Sequence, residues 1–336
     1  MRAVGLDFEA RRPVLGELPE PRAPRAGEVL FRVLETGICA TDRELAEFRY
    51  GDPPPGETFL ALGHEALGEV IETGPGAEGL ERGTLVVPGI RRACRPVCEA
   101  CAAGRRDLCL TGRYTERGIF GAHGYFTQLA VDAAEDLFAV PPALADVAIL
   151  AEPLSVVEKA VETALRLHPL TPASAAVAGC GPIGLLTAFA LTLRGIRVTI
   201  VSLEPEDHPK ALLARRAGAG YLRAQAPAPA ALVFDCSGSA AAAERCLGWL
   251  APAGVLIFVG ATGENLSISP LRVLNHNQAL AGVVNAAPGH FRAALGSLAR
   301  MPRAWLDPMI ERRPFGRWAE SLAAAPPAQP KIVHRL

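Results

Sequence analysis

Lysine is almost missing from this chain: it stands only at positions 159, 210 and 331, while arginine is abundant. An excess of one charge is missing too, with 34 Lys and Arg against 35 Asp and Glu. No basic stripe or charge run therefore points to nucleic acid or an anionic membrane as a partner. Long apolar runs are also absent. The nearest approach, 173–193, is broken by glycines and Pro182, whereas a membrane helix needs roughly 20 uninterrupted apolar residues. The first residues, Met1-Arg2-Ala3-Val4-Gly5-Leu6-Asp7, lack the apolar core of a secretory leader, so the cytoplasm is the expected compartment. Asn and Gln are scarce and proline is plentiful. That balance suits a heat-adapted chain and GC-rich codon usage equally, and it says nothing of function.

What is present is a globular composition. Half of the 336 residues are apolar and the net charge is −1, which is enough for two domains each with a core. Up to Pro142 the chain alternates short apolar runs with Pro and Gly punctuation. Strands are expected at 27–34, 66–72, 85–88, 125–131 and 137–140, and together they suggest a small β-rich barrel. The pattern then changes. Helical spacing runs from 156 to 167, and short apolar strands alternate with helical stretches from 173 onward. Strands at 175–178, 198–203, 220–222, 232–235, 255–259 and 280–284 predict a doubly wound parallel sheet with helices on both faces. Beyond Asn285 the chain reads as helical and irregular, with a possible return to the first domain.

Gly179-Cys180-Gly181-Pro182-Ile183-Gly184 follows an expected strand and opens an apolar helix. Its glycines allow a tight turn, close approach of backbone N–H groups to a pyrophosphate, and packing of helix on strand. A purely structural turn is the rival. Glu204 ends the next strand, where a carboxylate accepts hydrogen bonds from the adenosine ribose and repels a 2′-phosphate. No arginine stands beside it before Arg215, so NAD is slightly favoured over NADP.

Four of the eight cysteines crowd into Cys94, Cys98, Cys101 and Cys109, which in a reducing compartment favours metal over disulfides. Four thiolates on one loop match a closed tetrahedral zinc site that stabilises folding. Free thiols and a nucleic-acid-binding zinc module are the rivals, and Glu99, Asp107 and the missing aromatics argue against the second. Further upstream, Thr36-Gly37-Ile38-Cys39-Ala40-Thr41-Asp42 precedes Gly63-His64-Glu65. Cys39 alone is more often an inert buried thiol, and His64 alone a hydrogen-bonded core residue. Together, beside a carboxylate, they form a zinc pair with room for a substrate oxygen. A Cys/His nucleophilic hydrolase would not explain the dinucleotide fingerprint.

Gly63-His64-Glu65-Ala66-Leu67-Gly68, followed by Gly74 and Ala77, resembles the zinc signature of the medium-chain alcohol dehydrogenase superfamily. The cysteine cluster is similar to that family's structural-zinc lobe, and the dinucleotide unit falls where the family has it. Three further stretches resemble the glucose dehydrogenase branch: 111–119 (TGRYTERGI), 152–159 (EPLSVVEK), and Val284-Asn285-Ala286 before His290-Phe291.

The resemblance implies an α/β fold, a GroES-like β-barrel catalytic domain plus a Rossmann doubly wound parallel sheet. The expected division is 1–154, completed by 286–336, for the catalytic domain and 155–285 for the dinucleotide domain. It implies one catalytic zinc held by Cys39 and His64, with Glu65 and Glu152 both candidates for the third ligand, and one structural zinc on the four cysteines. Thr41 would relay the substrate proton and Asp42 would fix the His64 tautomer. Gly179, Gly181, Pro182, Ile183, Gly184, Glu204 and Asn285 would bind NAD or NADP; Glu116, His290, Thr41 and Glu152 would face a sugar. The expected reaction oxidises the C1 hydroxyl of an aldose such as D-glucose to a lactone, the metal lowering the hydroxyl pKa and the nicotinamide taking the hydride. Relatives are commonly dimers or tetramers, so a homo-oligomer is expected, with the apolar strand at 280–284 as the candidate contact. Two departures stand out. The cysteine lobe has one extra residue between its first two cysteines. Ile90 and Val156 replace polar residues found in some sugar-oxidising relatives, which loosens strict glucose specificity. The alternatives are a polyol, threonine or alcohol dehydrogenase, a zinc-free quinone-type reductase, and a non-catalytic nucleotide-binding protein of the same fold.

Overall fold

The computed structural model describes residues 1–260, 263–323 and 329–336. Near the N-terminus, Arg2–Asp7 pairs with both Arg12–Glu17 and Phe59–Ala61 in a three-stranded sheet. A seven-stranded sheet follows the path Leu137–Val140, Leu85–Pro88, Glu65–Thr73, Glu28–Ile38, Lys331–Arg335 and Ile310–Pro314. Leu129–Ala133 pairs with Glu28–Ile38 off that path. The C-terminal strand thus lies antiparallel to Glu28–Ile38, with Ile332 opposite Ile38. The chain does return to the barrel: the stretch beyond Asn285 is largely helical as expected, with helices Pro288–Arg300, Arg303–Leu306 and Trp318–Ala323, and it adds two strands that the sequence pattern did not show.

The second unit is a six-stranded parallel sheet in the order Gly220–Arg223, Arg197–Ser202, Ser174–Ala178, Ala230–Asp235, Leu250–Phe258, Ala279–Gly282. All six strands fall where the apolar runs predict them. Strands covered on both faces carry continuous apolar sequence, and Ala175–Ala178 is buried throughout. The strand order reverses beside Ser174–Ala178, and the carboxyl ends of the strands at such a reversal are where parallel sheets of this kind take their ligands.

Helix Ala151–Leu167 joins the two units. The sequence pattern predicts its start at 156, but it begins a full turn earlier. Pro153 is its third residue, where a missing N–H costs nothing because the first turn has no intrahelical acceptor. The domain boundary expected at 154/155 therefore falls inside one helix. A single core runs through it: Leu67, Val87 and Phe138 from the barrel, Leu154, Val157 and Val161 from the helix, Val177 and Phe234 from the parallel sheet, and Leu185 from helix Pro182–Thr192 packed on that sheet.

The strand expected at 125–131 is only half formed. Tyr125 and Phe126 are fully buried and hydrogen-bond through their backbone to Gly63 and Leu62, and regular pairing starts at Leu129. Residues 324–328, part of the expected completion of the catalytic domain, lie outside the described residues. No helix among the described residues is long and apolar enough to cross a membrane.

Phe138 of the barrel stacks on Phe291 of helix Pro288–Arg300 with ring centroids 4.5 Å apart. Both rings are buried, so Phe291→Ala is expected to lower stability by about 3–5 kcal/mol in urea unfolding. A loss under about 1 kcal/mol would mean the rings contribute little to joining the units.

Candidate active site and metal centres

Cys39 ends the strand Glu28–Ile38 and caps helix Ala40–Ala46. Its Sγ accepts from the Thr41 N–H (3.2 Å), and its own N–H donates to Asp42 Oδ2 (2.8 Å), a reciprocal cap that fixes where the thiol points. The thiol faces His64 Nε2 at 3.1 Å. On the other side of the ring, His64 Nδ1 faces Asp42 Oδ1 at 3.4 Å, and neither atom makes a full hydrogen bond. Burial pushes the His64 pKa down, but the neighbouring Cys39 and Asp42 charges outweigh it and hold it well above the ordinary value.

Glu65 opens the strand paired with Glu28–Ile38, directly opposite Gly37. A Cβ at Gly37 would lie 2.1 Å from Glu65 Oε2, so only glycine leaves room for that carboxylate. Ligand atoms of Cys39, His64 and Glu65 lie within 4.8 Å of one another. Glu65 Oε2 is buried without a partner, while Oε1 pairs with Lys331 Nζ at 2.5 Å. One sulfur, one imidazole nitrogen and one orphaned carboxylate oxygen form a donor set that fits zinc. Glu152, in the first turn of the junction helix, is outside that ligand cluster but close enough to feel it. Burial, and then repulsion from Glu65, push its carboxyl up to about 8.

Two residues at this site carry no motif. Lys331, fully buried, donates to the Ile38 carbonyl (3.2 Å) as well as binding Glu65. Tyr50 donates to Glu44 Oε2 (3.0 Å), and burial, with the Glu44 carboxylate beside it, pushes its phenol pKa above the ordinary value. The scarcity of lysine was the available signal for the first. Arginine serves the surface of this protein, and all three lysines are buried, each against a carboxylate: Lys159 on Asp107, Lys210 on Glu204, Lys331 on Glu65. Nothing local in the sequence singles out Tyr50.

Glu116 is buried beside the His64 turn, since a Cβ at nearby Gly118 would lie 3.0 Å from Gly63. Glu116 Oε1 accepts from Arg91 Nε and from Asn285 Nδ2, both at 2.8 Å. Asn285 reaches it from just beyond the last strand of the parallel sheet, with a left-handed backbone (φ 58°). Residues assigned separately to sugar and cofactor by the sequence are thus in direct contact. His290 is not brought to this group. Its Nδ1 accepts from the Ala287 N–H and its Nε2 pairs with Glu162 Oε2 (3.0 Å). Glu162 lies ten residues from Glu152, about 15 Å along the helix.

The four-cysteine loop brings its sulfurs within 4.8 Å of one another, with Cys94–Cys101 at 3.8 Å and Cys98–Cys109 at 3.9 Å. Zinc–sulfur bonds of about 2.3 Å in a tetrahedron require an edge of roughly 3.8 Å, so the loop fits one zinc ion. Its extra residue is absorbed between Cys94 and the short helix Glu99–Ala102, where the Cys98 N–H donates to Cys94 Sγ.

At the dinucleotide fingerprint, Gly181 caps helix Pro182–Thr192 and a Cβ there would meet nothing within 4 Å, which leaves the helix N-terminus open to a phosphate. At Gly184 a Cβ would lie 2.1 Å from the Gly179 carbonyl, the close packing that the third glycine allows. Ile183 lies in the first turn of the same helix and packs against the core. Glu204 accepts from the Ser202 hydroxyl and lies 3.5 Å from Lys210 Nζ, a cation unnoticed in the sequence. Arg215 turns instead to Glu206.

Comparison with known proteins gives the same organisation. The family described as "Glucose dehydrogenase C-terminus" matches residues 145–322, and "Alcohol dehydrogenase GroES-like domain" matches 25–142. A glucose 1-dehydrogenase of Thermoproteus tenax is 39% identical over 296 residues, 84% of this chain and 83% of the relative. One from Methanocella arvoryzae is 36% identical over 318 residues, 88% of each. The structure of Haloferax mediterranei glucose dehydrogenase with NADP, zinc and gluconolactone superposes with a TM-score of 0.91 at 29% identity, covering 100% of this chain and 99% of that one.

Gly37→Ala places a methyl group where the Glu65 carboxylate lies. Metal analysis is expected to fall from two zinc ions per chain, one for each cluster, towards one, with the cysteine loop keeping its own. Unchanged metal content would show that Glu65 is not needed to hold the metal.

Proposed function

This chain belongs to the glucose dehydrogenase branch of the zinc-containing medium-chain dehydrogenases, and from that premise we propose that it oxidises the C1 hydroxyl of an aldose such as D-glucose to the lactone, with NAD or NADP as hydride acceptor. The observation that carries the proposal is the Asn285–Glu116 bond, which ties the end of the dinucleotide sheet to a polar group beside the Cys39–His64–Glu65 cluster. The named relatives that oxidise glucose, and the Haloferax structure with gluconolactone, supply the substrate class.

Cys39, His64 and Glu65 would hold the catalytic metal, with Glu152 beside them as the alternative third ligand. Zinc, when bound, supplies the Lewis acidity that lowers the hydroxyl pKa, roughly as it lowers that of bound water to about 7. Asp42 keeps the His64 tautomer that presents Nε2 to the metal. Thr41 relays the substrate proton: Oγ1 accepts it while the hydroxyl's own proton passes on towards solvent. Lys331 holds one oxygen of Glu65 so that the other stays free. Glu116 binds a sugar hydroxyl, and Asn285, expected from the sequence to serve the cofactor, is held beside it at the end of the dinucleotide sheet. The barrel with its two C-terminal strands carries substrate and metal; the parallel sheet carries the cofactor.

Glu204 favours NAD, but Lys210 beside it softens repulsion of a 2′-phosphate, so both cofactors are accepted, NAD slightly better. Strand Ala279–Gly282 is the edge of its sheet, flanked by exposed Leu271, Leu274 and Val284, which suits pairing with a second copy in a homo-oligomer. Free cysteines throughout fit work in a reducing cytoplasm.

A panel of aldoses, polyols and simple alcohols with NAD⁺ and NADP⁺, followed at the reduced-nicotinamide absorbance, tests this reading. Turnover of a polyol or primary alcohol with no aldose oxidised would overturn it. Thr41→Val is expected to lower kcat by about 10²–10⁴-fold with zinc retained, the usual worth of a positioned proton-transfer group. Glu152→Ala is expected to lower turnover or metal retention; unchanged zinc and unchanged rate would remove Glu152 from the site.

A further inference from the structure

Lys159 belongs to none of the groups assigned so far. It lies two turns along the junction helix from Glu152 and is buried, and its ammonium makes two contacts. It donates to the Val284 carbonyl at 2.9 Å and pairs with Asp107 Oδ2 at 2.7 Å. Asp107 is two residues before Cys109, is also buried, and is gripped from its other side by Arg105 through two hydrogen bonds. Its backbone carbonyl accepts from Arg91 Nη1 at 3.3 Å, and Arg91 Nε binds Glu116. Glu116 accepts from Asn285, the residue after Val284.

These contacts close a ring: Lys159, Val284, Asn285, Glu116, Arg91, Asp107 and back to Lys159. It links the helix that carries Glu152, the exit from the dinucleotide sheet, and the cysteine loop. The Val284 side chain is 64% exposed, so its carbonyl is what anchors this stretch of chain inward. The next residue, Asn285, has a left-handed backbone (φ 58°), a conformation asparagine adopts more readily than other non-glycine residues. Its Oδ1 accepts from the following N–H and its amide nitrogen donates to Glu116. The Val284 carbonyl held by Lys159 fixes where that turn sits, and so where the amide points.

We propose that Lys159 is a positioning residue: by clamping the Val284 carbonyl to Asp107, it holds Asn285 against Glu116 and so makes the cysteine loop part of the machinery that sets affinity at the sugar site. The loop then has a role beyond its own folding. The affinity part of this proposal rests on the aldose reading; the clamping part does not.

The test uses the full-length, zinc-loaded enzyme and its Lys159→Met, Lys159→Arg and Asp107→Asn variants. For Lys159→Met, hydrogen exchange of the backbone at 283–287 is expected to speed up by at least about tenfold, with zinc content unchanged, as local opening of an otherwise intact fold requires. KM for the aldose is expected to rise about tenfold while kcat stays within about threefold, the signature of lost binding rather than lost chemistry. Lys159→Arg, which keeps a cation able to reach both oxygens, should recover most of the KM. Asp107→Asn should show the same pattern more weakly, and it decides the matter if Lys159→Met does not fold. The proposal falls if exchange at 283–287 and KM both stay at wild-type values in a folded Lys159→Met or, where that does not fold, in Asp107→Asn. It falls equally if Lys159→Met and Lys159→Arg lose kcat and zinc together, since that marks a purely structural residue. If the wild type oxidises no aldose but exchange still accelerates in the variants, the clamp stands and the sugar reading fails.

Discussion

Collecting a thiolate, an imidazole and two carboxylates inside a protein carries a large desolvation cost, and the arrangement survives only if positive charge is buried with them. A zinc ion on Cys39, His64 and Glu65 would supply part of that charge, and Lys331 supplies the part that belongs to the chain. Its pairing with Glu65 spans 266 residues of sequence. The barrel must close around it, because Lys331 opens the C-terminal strand, which lies between Glu28–Ile38 and Ile310–Pro314. Remove that strand and Glu65 keeps its place opposite Gly37 but loses its counter-charge. The topology of the last residues is therefore bound up with the electrostatics of a site formed by residues 39–65.

The same logic recurs at each functional centre. Burial of Glu204 beside the fingerprint is balanced by Lys210, and Asp107 beneath the cysteine loop by Lys159. Lysine offers a compact point charge on a flexible stem, which suits a single buried carboxylate oxygen; arginine's planar fork suits broader pairings. Arg92, for example, binds both Asp132 and Asp136 in the barrel.

The parts of the molecule legible in the sequence are those where one local rule acts alone. Leu85–Pro88 and Leu137–Val140 are bounded by turn residues and appear as read. The six parallel strands are apolar on both faces and stand out. The metal cluster was legible because its members sit at the ends of two paired strands, close in sequence and flanked by glycine. Legibility fails where tertiary contacts override the local pattern. Lys331-Ile332-Val333-His334 reads poorly as a strand because both of its faces are buried and each holds one polar residue, Lys331 on Glu65 and His334 on Ser321. The start of the junction helix was hidden by Pro153, ordinarily a breaker. His290 was drawn towards the sugar site by its motif, whereas the fold spends it on Glu162 and the start of its own helix. Tyr50 sits in a proline-rich loop whose course no periodicity reveals.

The near absence of lysine also sets how the outside of the molecule behaves. With all three lysines buried and paired, the exposed positive charge of the side chains rests on guanidinium groups, which stay protonated to a pH of about 12 or beyond. The positive half of the surface charge is thus nearly constant through the alkaline range, and reagents that seek side-chain amines find almost none in solvent. Any such modification that does occur must follow an opening of the fold at the metal cluster, the cofactor crevice or the cysteine loop, so the order in which the lysines react would record which of the three gives way first.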